Sequence, residues 1–307
     1  MSGEALIDNA AWGRGGAALS VLIPFKGDDP SSLIAMLGRE QVAAEIVLLD
    51  DGSADPALTR RVAAAVEACP LPARLATIEV NQGRSSGRNR LMGHARSDQF
   101  LFLDADMAPD DARFLTRWLE LIRSQTPAVA FGGFSLIQIP PHRDQALHRQ
   151  MAAHSDCLSA EQRRLAPEKH VFTSNLLVRR DVFELESFDE GFAGWGWEDV
   201  EWGMRVARRW PIVHIDNTAT HLGLDSARTL AAKYEQSAAN FARVVASHPE
   251  VVRTYPSYRV AALLKRAPLR RLWRPWLKAF AIADLAPIAA RAFAMRLYRA
   301  ALYAEAI

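Results

Sequence analysis

The sequence lacks the features that mark exported, redox-active and membrane-spanning proteins. Its 307 residues include two cysteines, Cys69 and Cys157, too few and too far apart for a disulfide framework or a thiolate zinc site. Lys278, Asp284 and Arg291 interrupt the most apolar segment, so no uncharged run approaches the roughly 20 residues that span a bilayer. The first residues carry acids where a signal peptide needs basic residues. These absences predict a cytoplasmic protein without a spanning helix.

The chain also lacks a strong charge of either sign. Its 37 basic and 35 acidic side chains leave a formal net charge of +2, which gives no chain-wide attraction to nucleic acid or to an acidic partner. Half of the residues are apolar, enough for one large core with an appendage or for two modest cores. Partners must therefore be inferred from local motifs.

Apolar, β-branched runs alternate with helical patterns in the first part of the chain. This alternation predicts an α/β fold with a doubly wound, mostly parallel sheet, right-handed crossovers and helices on both faces. Strands are predicted for residues 18–25, 44–53, 73–80 and 98–110, and helices for 29–40, 55–69 and 87–95.

The pattern becomes less regular after about residue 128. "AVAFGGFSLIQI" and "VFTSNLLVRRDVF" indicate strands, "DVEWGMRVARRW" indicates a helix, and "PIVHIDNTATHLG" indicates a strand that runs into a loop. Everything after about residue 226 has helical spacing. We therefore expect a domain over residues 1–225, with halves at about 18–127 and 128–225, and a helical extension over 226–307.

Acidic side chains follow two of the predicted strands. Asp50 and Asp51 end one strand, and Asp104 and Asp106 follow another. Ligands of parallel sheets bind beyond the carboxyl ends of the strands, so these acids should share one cleft. The D-x-D pair suits Mg²⁺ or Mn²⁺ that bridges to phosphate oxygens. The alternative is a turn whose acids cap the next helix.

Two further features lie near this predicted cleft. An aspartate at the end of "LLDD" can accept a hydrogen bond from a base or a ribose hydroxyl, or it can simply belong to a turn at Gly52. "NQGRSSGRNR" places Arg84, Arg88 and Arg90 among small residues, which suits either a diphosphate contact or the solvated basic start of a helix.

The stretch "GWGWEDVEWGMR" surrounds Glu198 and Asp199 with tryptophans. A carboxylate that takes a proton from an alcohol works better when it is partly desolvated, because burial raises its pKa. Tryptophan rings also stack on sugar rings and offer an N–H donor. The alternative is a core tryptophan cluster with surface acids.

These motifs, in this order, resemble the nucleotide-sugar-dependent glycosyltransferases of family 2. The resemblance covers about residues 18–225, and the second half is similar to the galactosyltransferase and polypeptide N-acetylgalactosaminyltransferase groups. It implies a GT-A fold, which is Rossmann-like, and a nucleotide-diphosphate sugar as donor. The acceptor that it implies is a carbohydrate or a lipid-linked glycan.

The resemblance also implies roles on the donor side. Pro24 and Asp51 would lie at the nucleoside, and Arg88 would help to hold that side of the donor. Asp104 would lie near the ribose, and Asp106 would bind Mn²⁺ or Mg²⁺.

On the acceptor side, the resemblance makes Glu198 and Asp199 the catalytic pair, with Asp199 as the general base, and Trp195 and Trp197 acceptor-binding residues. His221 falls where related enzymes place a histidine metal ligand, and the nearby His214 is the alternative.

Attack opposite the leaving group would invert the anomeric centre, whereas "WGWE" also resembles a motif of retaining relatives. The chain has "ARRW" in place of the Q-x-x-R-W motif of processive synthases, which favours single sugar additions in polysaccharide or glycoconjugate synthesis. Two other hypotheses are a non-catalytic nucleotide-sugar or carbohydrate-binding module of the same fold and a glycoside hydrolase.

The segment 251–283 contains no acid. Its eight basic residues alternate with Trp273 and Trp276, a composition that suits peripheral contact with anionic membrane at its inner face. The alternative is a helical appendage with solvated arginines. Nucleic-acid binding is not expected, because no reading module surrounds the segment.

Overall fold

The computed structural model describes residues 3–307, which form strands and helices in alternation up to about residue 226 and helices thereafter. The strands are β1 (Ala5–Asp8), β2 (Leu19–Phe25), β3 (Ala44–Asp51), β4 (Ala73–Ile78), β5 (Gln99–Phe102), β6 (Met107–Pro109), β7 (Val129–Phe131), β8 (Phe134–Ser135), β9 (Leu176–Arg179), β10 (Ile212–His214) and β11 (Ala219–His221). The α-helices are α1 (Ser31–Gly38), α2 (Pro56–Ala68), α3 (Arg84–Met92), α4 (Phe114–Gln125), α5 (Ala146–Ser155), α6 (Ala160–Arg163), α7 (Arg180–Leu185), α8 (Glu198–Val206), α9 (Ala227–Ser247), α10 (Pro249–Val252), α11 (Pro256–Lys265), α12 (Arg270–Ile282) and α13 (Ile288–Ala306).

The main sheet has eight strands in the order β1-β4-β3-β2-β5-β9-β7-β10. Strands β4, β3, β2 and β5 are parallel, as are β7 and β10, whereas β9 runs antiparallel to both of its neighbours and β1 antiparallel to β4. A second sheet joins β6, β11 and β8. The prediction of a mostly parallel central sheet flanked by helices is confirmed. Strand β1 was not predicted, and its side chains are all exposed at the sheet edge.

Alternate side chains of the central strands fill two apolar layers. In β2, Leu19, Val21 and Ile23 pack with α1, α2 and α4, while Leu22 faces the opposite layer with Phe102 and Trp202. This is the two-residue period of a strand buried on both faces. A third apolar cluster joins the C-terminal helices to the rest of the chain.

Three local predictions need correction. The strand expected within residues 128–139 is broken at Gly132 and Gly133, because Gly133 has φ of +93° and a Cβ on Gly132 would lie 2.4 Å from Asn175 Nδ2. The helix expected over 87–95 is α3, which begins at Arg84 and ends at Met92. The D-x-D acids precede β6 and not a helix, so the helix-cap alternative is wrong. Among residues 3–307, no helix is both long and apolar enough to cross a bilayer.

Candidate active site

Asp51 is the last residue of β3, and Asp104 follows β5. Both acids therefore lie at the carboxyl ends of the parallel strands. Strand β2 pairs with both strands, and Pro24 lies in β2 opposite Leu49 of β3. Asp51 accepts hydrogen bonds from the backbone N–H of Gln82 (2.8 Å) and of Gly83 (3.1 Å), and from Asn81 Nδ2 (2.9 Å). Asp51 therefore ties the end of β3 to the start of α3.

Helix α3 supplies two guanidinium groups to this edge. Arg84 and Arg88 are four residues apart and share one face of the helix. Arg88 Nη2 lies 3.2 Å from Asp104 Oδ1, and Arg88 Nη1 lies 3.7 Å from Glu198 Oε1 and 3.8 Å from Asp199 Oδ1. Arg84 Nε lies 3.3 Å from Glu198 Oε1, and Arg84 Nη2 lies 3.8 Å from Asp104 Oδ2. Acids from both halves of the chain thus meet around the same two arginines.

Asp104 is held in its charged form by this cluster. Burial by itself disfavours the carboxylate, but Arg88, Arg84 and a 2.6 Å hydrogen bond from Ser174 Oγ outweigh burial and lower the pKa of Asp104 to about 2. Asp104 is therefore ionised, and an acceptor of hydrogen bonds, at neutral pH.

The surroundings of Asp199 have the opposite effect and raise its pKa. Burial and then the neighbouring Glu198 raise the pKa of Asp199 to about 6, against the opposing charges of Arg88 and Arg84. The backbone N–H and Oγ1 of Thr173 both donate to Asp199 Oδ2 at 3.2 Å. Asp199 Oδ1 and Glu198 Oε2 are buried without a hydrogen-bond partner in the described chain. A carboxylate with this pKa and an unsatisfied oxygen suits proton abstraction near neutral pH.

Asp106 and His221 form a second pair. Strand β11 runs antiparallel to β6 with His221 opposite Met107, and His221 Nε2 lies 3.2 Å from Asp106 Oδ2. Burial disfavours the charged ring, but the hydrogen bond and charge of Asp106 outweigh burial and raise the pKa of His221. Gly223 packs so closely here that a Cβ on it would lie 1.9 Å from Asp106 Oδ2.

His214 is not near this pair. It is buried, with Nδ1 3.2 Å from Arg163 Nε and Nε2 3.1 Å from the carbonyl oxygen of Pro167. The structure therefore brings His221, and not His214, to Asp106. Within residues 3–307, no group of three or more His, Cys, Asp and Glu side chains is arranged to hold a metal ion.

A second acid, Asp28 in the loop after β2, lies on the same cavity as Asp106. Asp28 lines a cavity of about 260 Å³ that is also bordered by Asp106 and Gly223. Burial and the charges of Asp106 and Asp104 raise the pKa of Asp28. Sequence reasoning missed this residue, although its position directly after the first buried strand was the available signal. Thr173 and Ser174 were missed as well, because the stretch "VFTSNLLVRRDVF" that contains them indicated only a strand and no contact with the acids.

The three tryptophans near Glu198 have different surroundings. Trp202 is fully buried, and its Nε1 donates to the carbonyl oxygen of Glu186. Trp197 adopts φ of +77° directly before α8, and its Nε1 donates to Tyr303 Oη at 3.0 Å. The half-buried Trp195 lies beside Tyr234, with ring centroids 6.1 Å apart. The alternative of surface acids is wrong for Glu198, which is 5% exposed.

Comparisons with known proteins bear on the family and the fold of the chain. The family model described as "Glycosyl transferase family 2" matches residues 20–185, more than half of the chain. The comparison with curated proteins finds no match.

Solved structures are similar over most of the chain. A mannosyltransferase from Pyrobaculum calidifontis, PcManGT, has 17% identity and a TM-score of 0.57, covering 96% of this chain and 88% of its own. The S. aureus protein TarS, residues 1–349, has 13% identity and a TM-score of 0.53, covering 94% and 89%. Glucosyl-3-phosphoglycerate synthase from Mycobacterium tuberculosis has 15% identity and a TM-score of 0.51, covering 75% and 80%. At such identities the similarity shows the fold alone, which is GT-A.

Proposed function

The chain belongs to glycosyl transferase family 2, and from that premise we propose that it moves a sugar from a nucleotide-diphosphate sugar to an acceptor hydroxyl with the help of Mn²⁺ or Mg²⁺. The observation that carries this proposal is the cluster around Arg84 and Arg88. These arginines join Asp104, from the end of the parallel strands, to Glu198 and Asp199 at the start of α8. Sugar transfer requires the sugar donor and the acceptor to be bound next to each other, and this cluster joins the residues proposed for the two.

The donor side is proposed to follow the strand ends. Pro24 and Asp51 border the nucleoside, and Asp104, which stays ionised, accepts hydrogen bonds from the ribose. Arg88 is buried and fixes Asp104, so it acts on the donor side mainly through that carboxylate. Arg84 is more exposed and has guanidinium N–H groups that can contact a diphosphate.

Asp106 and His221 would hold the divalent cation. A carboxylate beside an imidazole fits Mn²⁺ or Mg²⁺ that takes its remaining ligands from water and phosphate. Such an ion supplies charge neutralisation of the diphosphate leaving group. PcManGT was solved with GDP-mannose and Mn²⁺, which supports this assignment by analogy of fold.

Asp199 is the proposed general base. Thr173 fixes one of its oxygens and leaves the other to take the proton of the attacking hydroxyl, while Glu198 keeps the pKa of Asp199 raised. Trp195 and Trp197 are proposed to border the acceptor, a carbohydrate or lipid-linked glycan. We further propose an inverting, non-processive hexosyl transfer in polysaccharide or glycoconjugate synthesis. The second half, 128–225, would then act like that of galactosyltransferases and polypeptide N-acetylgalactosaminyltransferases.

A donor panel tests the proposal. The panel includes GDP-mannose and UDP-GlcNAc, which PcManGT and TarS bind in their solved structures, and each donor is tried with and without Mn²⁺. Release of nucleoside diphosphate that requires Mn²⁺ and an acceptor glycan supports the proposal. Donor binding without turnover would indicate a non-catalytic module, and release of sugar from a glycoside would indicate a hydrolase; either result overturns the proposal.

A further inference from the structure

Helix α12 turns its apolar side to water, which is unusual for a helix on the surface of a globular protein. Amphipathic helices of globular proteins turn their charged face to water and their apolar face to the core. In α12 the charged face pairs with the protein, since Arg274 and Arg270 contact Glu305 of α13, and Lys278 Nζ lies 2.6 Å from Glu235 of α9.

The apolar face of α12 is correspondingly exposed. Leu272, Trp276 and Phe280 are four residues apart along one side of the helix and are 66%, 77% and 45% exposed. Leu269, directly before the helix, is 71% exposed. Trp276 and Phe280 also line an open groove of about 550 Å³ together with Trp273 and Leu277.

Along the segment 251–283, the exposed charged residues next to this face are all basic. Lys265, Arg266 and Arg271 are exposed and make no ion pair with any residue in the described part of the chain. No acid occurs anywhere between residues 251 and 283. Aromatic side chains on an apolar stripe with a basic border match the boundary between headgroups and acyl chains of an anionic membrane. A protein partner would need an acidic rim of its own, whereas an anionic bilayer supplies one everywhere.

We propose that the exposed face of α12, formed by Leu269, Leu272, Trp276 and Phe280 and bordered by Lys265, Arg266 and Arg271, docks on anionic lipid bilayers. The proposed contact involves only part of the segment 251–283 for which membrane contact was expected. Arg270, Arg274 and Lys278 are not part of it, because they form ion pairs with the protein. Docking does not depend on sugar transfer.

Vesicle sedimentation tests the proposal without any nucleotide sugar, so its outcome is independent of the proposed function. The full chain is mixed with vesicles of phosphatidylglycerol and phosphatidylcholine, or of phosphatidylcholine alone. We expect binding only to the anionic vesicles and weakening in 0.5 M NaCl. The double variant Trp276→Gln, Phe280→Gln should bind at least tenfold more weakly, and Leu165→Gln, at an exposed leucine elsewhere, should bind like the parent.

The exposed pair Arg266→Glu, Arg271→Glu provides a second variant that leaves the apolar face intact, and it should also bind at least tenfold more weakly. Absence of binding to both vesicle types, equal binding to both, or unchanged binding by either variant overturns the proposal. So does a dimer in light scattering that Trp276→Gln, Phe280→Gln dissociates, because a second copy of the chain would then cover the face.

Discussion

At the scale of single residues, the chemistry depends on two carboxylates with opposite electrostatic surroundings. Asp104 accepts from Ser174 and faces two guanidinium groups, whereas Asp199 is buried beside Glu198. Their pKa values are therefore driven apart, to about 2 and about 6. Groups whose surroundings separate their pKa values in this way are candidates for different roles in catalysis.

This separation predicts the pH dependence of transfer. Asp199 must be deprotonated to act as a base, so kcat/KM should rise as pH increases through about 6 and should be constant above it. At pH 5 the rate should be about tenfold below the plateau, because about one molecule in ten then carries the ionised form. The measurement is kcat/KM between pH 4.5 and 8, since kcat/KM reports the ionisation of the free enzyme.

The variant Asp199→Asn should lower kcat by about 10²–10⁴-fold and leave donor affinity nearly unchanged. Asp98→Asn, at a well-exposed acid, is the matched control and should retain the parental rate. Near-normal turnover by Asp199→Asn would show that another group removes the proton.

The sequence identified the acids through local patterns, namely carboxylates at the ends of apolar strands and a carboxylate pair in a tryptophan-rich stretch. Asp51, Asp104, Asp106, Glu198 and Asp199 could therefore be selected before any coordinates, and their individual roles remain predictions. Partners from distant segments could not be selected. Thr173, Ser174 and Tyr303 reach the site only through the tertiary fold, and the local sequence around them does not indicate which side chains they contact.

At the scale of elements, the loop after β11 brings Gly223 against Asp106. An added methyl group at Gly223 would lie 1.9 Å from Asp106 Oδ2 and 3.4 Å from His221 Nε2, so one of these side chains must move. We predict that Gly223→Ala weakens Mn²⁺-dependent donor binding at least tenfold, measured by calorimetry. Gly16→Ala, where a Cβ meets nothing within 4 Å, should bind like the parent. Parental binding by Gly223→Ala would argue against a metal at Asp106.

Helix α13 reaches the acceptor side through Tyr303. Its hydroxyl accepts from Trp197 Nε1 and contacts Ser237 Oγ, both at 3.0 Å, and Trp197 directly precedes Glu198. Tyr303→Phe leaves the buried N–H of Trp197 without a partner, which costs about 1–3 kcal/mol. Tyr303 is thus a positioning residue for the start of α8.

We therefore expect Tyr303→Phe to lower kcat severalfold without changing donor affinity. Tyr298→Phe is the control, because Tyr298 lies on the same helix but bonds to Glu235. An equal loss of kcat in both variants would mean that the effect is only a general loss of stability in α13.

The elements that sequence predicted best are those fixed by local periodicity. Strands β2 and β3 are continuous apolar runs, and α2 has Pro56 at its first turn and Asp55 as its cap. The direction of β9 could not be predicted, because its pairing with β5 and β7 depends on contacts between residues far apart in the chain. The edge strand β1 carries no apolar period at all, since both of its faces are exposed.

At the scale of the whole molecule, the C-terminal helices share a core with the preceding half. Leu147, Phe192 and Met204 pack with Tyr234 and Phe241 of α9, and the same cluster continues into α13. The predicted boundary at residue 225 marks a change in the sequence pattern. The apolar core, in contrast, continues across that boundary.

This packing predicts that residues 1–225 do not fold alone. Removing 226–307 exposes the apolar side chains of the shared cluster to water, at about 25 cal/mol for each Å² uncovered. Size-exclusion chromatography should show aggregation, and circular dichroism should show no cooperative melting transition. A monomeric fragment that melts as sharply as the full chain would contradict this expectation.

The central claim is that one cavity holds the donor between acids from both halves of the chain. A crystal structure of Asp199→Asn with Mn²⁺ and the donor selected by the panel tests it most directly, with Mn²⁺ located by anomalous scattering. We predict that Mn²⁺ binds at Asp106 and the diphosphate, and that the anomeric carbon faces the side chain of residue 199. Manganese bound elsewhere, or a sugar directed away from residues 198 and 199, would contradict the account.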